Sequence, residues 1–297
     1  MIFVWSLPLL RVLAGAVLIS FAGILVPLAG VASAPAAFYR TAIGGAALIL
    51  LALARGERLR IQPRFAGYVL ITALAFAADL VLWHLSIYHV GPGIATLLPN
   101  FQVVLMALAG WLIWRERLGP KVALAIGIAL AGLLLLLMAA PGAGQARFLA
   151  GIGYGLGAAV AYTAYLLFLR LAGGTASHAA PALFIGLVSL MTAVLIALWV
   201  GVRGQSFVVP FDMSWLWLAL YGLGCQAGGW FLISTGITRV SAAIAGLLLL
   251  LQPTLTFVWD RLIFGRRFTA LELAGAALAL IGLYLGVRFR ARRQKGQ

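Results

Sequence analysis

Ten stretches of about twenty mostly apolar residues follow one another with short gaps between them, and this spacing is the strongest constraint on the fold. They are Leu7–Ala32, Ala36–Ala54, Phe65–Tyr88, Gly91–Trp114, Lys121–Ala140, Phe148–Leu171, Ala179–Val202, Trp215–Ile237, Ser241–Phe264 and Phe268–Val287. At 1.5 Å rise per residue, each is about as long as a bilayer's hydrocarbon core is thick. Lipid offers the backbone no hydrogen-bond partners, so each stretch must satisfy its own N–H and C=O groups by coiling into a helix. The expected fold is therefore all-α and integral to the membrane. It has ten transmembrane helices, antiparallel from one to the next because the loops are short, and no room for an extramembrane domain.

The supply of charge agrees. Only 9% of the 297 residues are charged and 64% are hydrophobic, with a mean hydropathy of +1.12. A soluble domain carries roughly a quarter of its residues as Asp, Glu, Lys or Arg. The net charge of +15 does not indicate nucleic acid, because the basic residues sit in short loops and in the tail from Arg288 to Lys295 rather than along one face. Cys225 is the single cysteine, so no intrachain disulfide forms. Ala32-Ser33-Ala34 imitates a signal-peptide cleavage site, but the apolar stretch from Val12 is long enough to span and Pro35 follows directly, so a retained first helix is expected.

With the N-terminus in the cytoplasm, fifteen basic residues fall on the cytoplasmic side: Arg11, Arg55, Arg58, Arg60, Arg64, Arg115, Arg117, Lys121, Arg170, Arg239 and five in the tail. Five fall outside, at Arg147, Arg203, Arg261, Arg266 and Arg267, and Arg40 lies within the second segment. The bias predicts a multi-pass protein of the cytoplasmic (inner) membrane with both termini in the cytoplasm.

The chain also resembles itself at an offset of 150. Val90, Ile94, Ala95, Gln102, Arg117, Ala129, Leu130 and Gly132 align with Val240, Ile244, Ala245, Gln252, Arg267, Ala279, Leu280 and Gly282. In both halves a Gly- and Ala-rich final segment follows a proline-bearing one. Two units are expected, 1–145 (segments 1–5) and 146–297 (segments 6–10, with the basic tail). Five helices is an odd number, so the second unit must sit inverted relative to the first, around a central cavity.

Phe38-Tyr39-Arg40, Trp114-Arg115-Glu116-Arg117-Leu118 and Gly127 to Gly132 resemble the first repeat of the drug/metabolite transporter superfamily. Ala161-Tyr162-Thr163-Ala164-Tyr165, Gln252-Pro253 and Gly275 to Gly282 resemble the second. The resemblance covers nearly the whole chain and points to the ten-helix branch built from two EamA-type repeats. Within that branch the aromatic-rich helices look similar to bacterial amino-acid exporters, aromatic ones included. One departure is Arg266-Arg267, where the pattern expects a Glu-Arg like Glu116-Arg117.

The polar residues furthest from the segment ends are the candidate substrate site. A carboxylate at mid-helix in lipid costs several kcal/mol, so Asp79 must face a water-filled cavity, pair with a cation or be protonated; a structural hydrogen bond to a neighbouring helix is the plainer reading. Helical spacing sets Thr72, Phe76, Asp79, Trp83 and Ser86 along one stripe. Arg40 has three readings: it receives a substrate carboxylate, pairs with Asp79, or extends to the outer headgroups. Asn100 after Pro99 and Gln252 before Pro253 mark breaks midway through the fourth and ninth segments, where freed carbonyls need partners; such breaks otherwise serve only packing. Tyr162, Trp83, Gln226 and Trp230 complete the expected lining, whereas Tyr154, Trp111, Trp114, Trp199 and Trp215 read as interfacial belt or packing.

Other patterns carry little. Gly222-Leu223-Gly224 is not a dinucleotide fingerprint, because no strand precedes it. His84, His89 and His178 do not cluster, so neither a metal nor another cofactor is expected, and no nucleophile–base pair suggests an enzyme. The reading is a secondary transporter that exports amino acids and related small metabolites by alternating access, acting as a monomer with the bilayer and a small-molecule substrate as its partners. Non-amino-acid cargo and an intramembrane enzyme are the alternatives.

Overall fold

In a computed structural model, which describes residues 6–57, 63–116, 118–138, 146–174, 181–265 and 269–294, the chain is all-helical and no strand occurs among the described residues. Among the described residues eight helices are long and apolar enough to cross a membrane: α1 (Leu7–Ala29), α2 (Ser33–Ala54), α3 (Pro63–Val90), α4 (Ala95–Trp114), α6 (Arg147–Gly173), α7 (Pro181–Val202), α8 (Ser214–Ile237) and α9 (Ala242–Ile263). The two others, α5 (Pro120–Met138) and α10 (Ala270–Gln294), carry shorter apolar stretches. Arg58, Arg60, Arg117, His178, Arg266, Arg267 and Lys295, used above, lie outside the described residues.

Helical hydrogen bonding runs on from Pro63 to Leu97, but the chain reverses after Val90. Gly151 lies against Val90, Gly157 against Leu82 and Tyr165 against Phe76, so α3 runs antiparallel to α6. Leu98 touches Gly155, while Asn100 shares a cavity with Tyr162, so α4 runs parallel to it. Sequence spacing alone places two helices here, as expected.

Among the described residues four of the spans are interrupted or rewound, and at three of these places side-chain donors reach the backbone carbonyls. In α1 the helix breaks at Phe21: Ile24 N–H donates to Phe21 O instead of Ser20 O, and the Thr256 hydroxyl donates to Ser20 O (2.6 Å). In α4 a 3-10 turn occupies Leu98–Phe101, nearer the start of the helix than its middle, and Asn100 Nδ2 donates to Thr96 O (2.8 Å) and Leu97 O (3.2 Å). In α9 the break falls at Leu250, whose carbonyl accepts from the Thr254 hydroxyl (2.9 Å). In α8 the segment Tyr221–Gly229 is wound as a π-helix, a form that is rare outside functional sites. The α1 and α8 distortions carry no proline at the point of departure, so no residue type in the chain marks them.

The helices pair across the two halves. α1 packs along α8, α2 along α7, α3 along α6, α4 along α9 and α5 along α10. Adding five to each label turns the α1–α8 pair into α6–α3 and maps the other three onto themselves. Small residues let two of these pairs approach backbone to backbone. A Cβ on Gly132 would lie 2.5 Å from Ala279 N and Gly275 O, and one on Gly282 would lie 2.6 Å from Ala129 N and 2.7 Å from Ala125 O. These two contacts are reciprocal at the 150-residue offset. Gly45 against Leu190 and Gly186 against Ile49 are reciprocal in the same way, at an offset of 141.

Candidate functional site

Where α1, α2, α3, α4, α6, α8 and α9 converge, they enclose a cavity of about 130 Å³. α5 and α10 contribute nothing to it among the described residues. Seven of the eight residues singled out from the sequence line it: Arg40, Asp79, Trp83, Asn100, Tyr162, Trp230 and Gln252. The eighth, Gln226, stands just behind the wall and holds Arg40.

Arg40 is the most constrained polar group in the cavity. It is only 6% exposed, so it does not extend to the headgroups. Its Nε donates to Gln226 Oε1 (2.7 Å) and its Nη1 to the Tyr221 hydroxyl (3.2 Å). Gln226 is fixed in turn, because its Nε2 donates to Ser189 Oγ (2.8 Å). The guanidinium also lies over the Tyr221 ring at 4.9 Å and the Phe76 ring at 5.8 Å, a favourable setting for a desolvated cation. Gln226 and Tyr221 both sit on the π-wound stretch of α8. The altered winding therefore aims the two residues that orient the arginine.

Asp79 is buried at 8% exposure and shares the cavity with Arg40, but the two do not form an ion pair. The stripe predicted on α3 does face inward: Thr72 and Ser86 are fully buried, Phe76 nearly so, and Trp83 lines the cavity. Ser86 Oγ donates to Gly151 O (2.8 Å), which ties α3 to α6.

Beneath the cavity the aromatic rings form a packed cluster. Phe76 stacks on Tyr165 at 4.5 Å, and Trp230 meets Tyr165 edge-on at 4.7 Å and Tyr162 at 6.1 Å. The Tyr165 hydroxyl and Trp230 Nε1 are buried there without a hydrogen-bond partner. Asn100 faces the cavity but spends its amide N–H groups on its own helix break, so its fixed duty is to satisfy that break. Gln252 Nε2 reaches the Tyr162 hydroxyl at 3.5 Å.

Tyr221, Phe76 and Tyr165 are the site residues that sequence reasoning missed or left unweighted. Tyr221 carried no usable signal, because it stands only seven residues into its span, where an aromatic reads as interfacial. Phe76 was on the predicted stripe, and Tyr165 follows Tyr162 by one helical turn. His84, His89 and Cys225 form no group with another metal-ligating side chain, and no such group occurs among the described residues.

A profile of the EamA-like transporter family matches residues 6–138 and again 149–288. An uncharacterized transporter of Bacillus subtilis (strain 168), YvbV, is 24% identical over 264 residues, covering 86% of this chain and 82% of that protein. A solved crystal structure superposes with a TM-score of 0.81 over 93% of this chain and 96% of its own, at 22% identity, a likeness of fold alone.

Proposed function

The chain belongs to the EamA-like transporter family and is a membrane transporter of small molecules; from that premise we propose that its cargo is amino acids, aromatic ones among them, exported across the inner membrane by alternating access. The observation that carries this reading is the pairing of Arg40 and Asp79 in one small cavity walled by Phe76, Trp83, Tyr162 and Trp230. A zwitterion of amino-acid size offers a carboxylate to the guanidinium, an ammonium to the carboxylate and an apolar body to the rings. Because the two groups are not spent on each other, each keeps the capacity to bind. The cavity is also well below the roughly 300 Å³ at which drug-sized pockets begin.

Arg40, Asp79, Trp83, Asn100, Tyr162, Gln226, Trp230 and Gln252 form the substrate site in this reading, with Gln226 acting through Arg40. The chain works as two repeats, 1–145 and 146–297, inverted about an axis in the membrane plane. The reciprocal contacts of Gly132 and Gly282 support that arrangement, since a twofold axis requires that residue i meet j whenever j's counterpart meets i's. The contacting helices run antiparallel, so the axis lies across them rather than along the membrane normal. Both termini face the cytoplasm, one chain suffices, and no chemical conversion takes place.

Purified protein in liposomes, given a panel of labelled amino acids with and without a pH gradient, tests the cargo. Counterflow of aromatic and other apolar amino acids is expected, with dicarboxylates and nucleosides excluded. If no amino acid is moved while other metabolites are, the cargo assignment is wrong.

A further inference from the structure

A second concave site lies on the lipid-facing side, away from the cavity. α4 and α5 are joined by a turn of only five residues, yet beyond that turn they stand apart, and α5 packs on α10 instead. The gap between them is a groove of about 700 Å³ lined by apolar residues, among them Val104, Leu108 and Trp111 on one side and Leu118 and Ala123 on the other. Its floor is closed by Ala107 and Ile126, which pack on Ala243 and Leu247 of α9. At the far end Leu97 and Phe101 meet Leu130 and Leu133 in a packed cluster. The groove therefore runs along the lipid-facing side from Leu118 at the α4–α5 turn toward that packed cluster. In the second half the equivalent helices, α9 and α10, pack against each other along both parts of α9.

The end at the turn is positively charged for a structural reason. The turn and the first two residues of α5 read Arg115-Glu116-Arg117-Leu118-Gly119-Pro120-Lys121. Glu116 is turned inward, its Oε1 accepting from Arg170 (2.7 Å) and its Oε2 from the Ala242 N–H (2.8 Å). That leaves Arg115 and Lys121 as exposed charges. Arg115 has φ +52°, a left-handed conformation at a helix end where glycine is the usual residue. It is the one non-glycine residue with positive φ among those described. An arginine standing where glycine would be unstrained points to work for its side chain.

We propose that this groove is a binding site for one anionic phospholipid, with an acyl chain between α4 and α5 and the phosphate on Arg115 and Lys121. An acyl chain matches an apolar slot that faces the lipid, and an anionic headgroup matches the two exposed cations beside its end at the turn.

Native mass spectrometry of the full chain, taken from nanodiscs of equal parts phosphatidylglycerol and phosphatidylcholine with identical chains, tests the site. Wild-type protein retains phosphatidylglycerol in preference. Arg115→Gly weakens that retention about 5-fold, and Arg115→Gly with Lys121→Gln about 30-fold, at the strength of one headgroup contact per charge. Arg115→Gly also relieves the left-handed backbone, so its thermal midpoint in lipid-free detergent rises while lipid retention falls, a combination that no folding defect produces. Leu108→Trp narrows the slot without altering charge and weakens the retention of lipid. The chain-less headgroup glycerophosphoglycerol does not displace the lipid. Equal retention of the two lipids by wild type, unchanged retention in either groove variant, the same loss in an Arg55→Gln/Arg203→Gln control, displacement by the free headgroup, or a second protein chain in place of the lipid would each overturn the proposal.

Discussion

α5 and α10 form one crossing between the halves, and α4 and α9 form another, yet the two are built in opposite ways. The α5–α10 pair is unbroken, and its glycines bring backbone against backbone, with Gly132 and Gly282 leaving no room for a Cβ. The α4–α9 pair is broken in both members, at Leu98–Phe101 and at Leu250, and is tied by side chains such as Gln102, whose Nε2 donates to Gly246 O (3.0 Å). The unbroken pair holds every backbone group in its own ladder and has nothing to offer a solute. The broken pair sends Thr96, Pro99 and Asn100 of α4 and Gln252, Pro253 and Thr256 of α9 into the cavity, all at or within a turn or two of a break. Rigid scaffold and solute site thus occupy equivalent crossings, and what separates them is whether the helical ladder is complete.

The hardest blow to this contrast falls on the scaffold. Gly282→Val drives a side chain into Ala129 N and Ala125 O, which cannot yield, so folded protein should be lost outright. Gly127→Val on α5, where nothing lies within 4 Å, should leave the yield of monodisperse protein unchanged. Equal yields from the two would mean that the crossing is not the rigid element.

Next in size come changes that spare the fold and stop transport. Asp79→Asn and Arg40→Gln each remove a charge-assisted contact worth about 1.5–3 kcal/mol, so transport per folded molecule should fall roughly 10- to 150-fold. Gln226→Leu, which touches no solute, should follow Arg40→Gln in direction if it orients the guanidinium. Transport at wild-type rates in all three places the solute elsewhere.

Trp83→Ala removes wall area alone, with about 1–3 kcal/mol of apolar burial at stake. It should weaken transport of aromatic solutes more than of small ones, whereas Leu280→Ala on the lipid-exposed side of α10 should do nothing. Identical substrate profiles for the two variants would remove Trp83 from the site.

The smallest expected effect lies outside the bilayer, at the start of α8. The Ser214 hydroxyl and, next to it, the Ser214 N–H (2.7 Å to Asp212 Oδ1) both donate to the charged carboxylate, and together they hold it below the usual carboxylate range. A depressed folded value means a contribution present above the unfolded pKa and lost as pH falls through the folded one. Because the group is fully exposed, Asp212→Asn should change the thermal midpoint slightly at neutral pH and not at all in strong acid. A difference that persists in acid would show that the carboxylate charge is not its source.

Ten spans, their order and the polar residues that meet in one cavity were legible in the chain itself. The reason is that lipid punishes every exception: a charged or amide side chain such as Asp79 or Gln252 in the middle of an apolar run has almost nowhere to go but inward. The breaks in α4 and α9 were legible too, because Pro99 and Pro253 remove N–H groups by covalent structure. The tertiary structure alone decided that Arg40 turns inward to Gln226 and Tyr221, that α1 breaks at Phe21, and that α8 winds as a π-helix. Each of these depends on a partner far off in sequence, with 186 residues between Arg40 and Gln226 and 236 between Ser20 and Thr256. Local sequence can say that a backbone or side-chain group needs a partner; which group supplies it is fixed only when the helices pack.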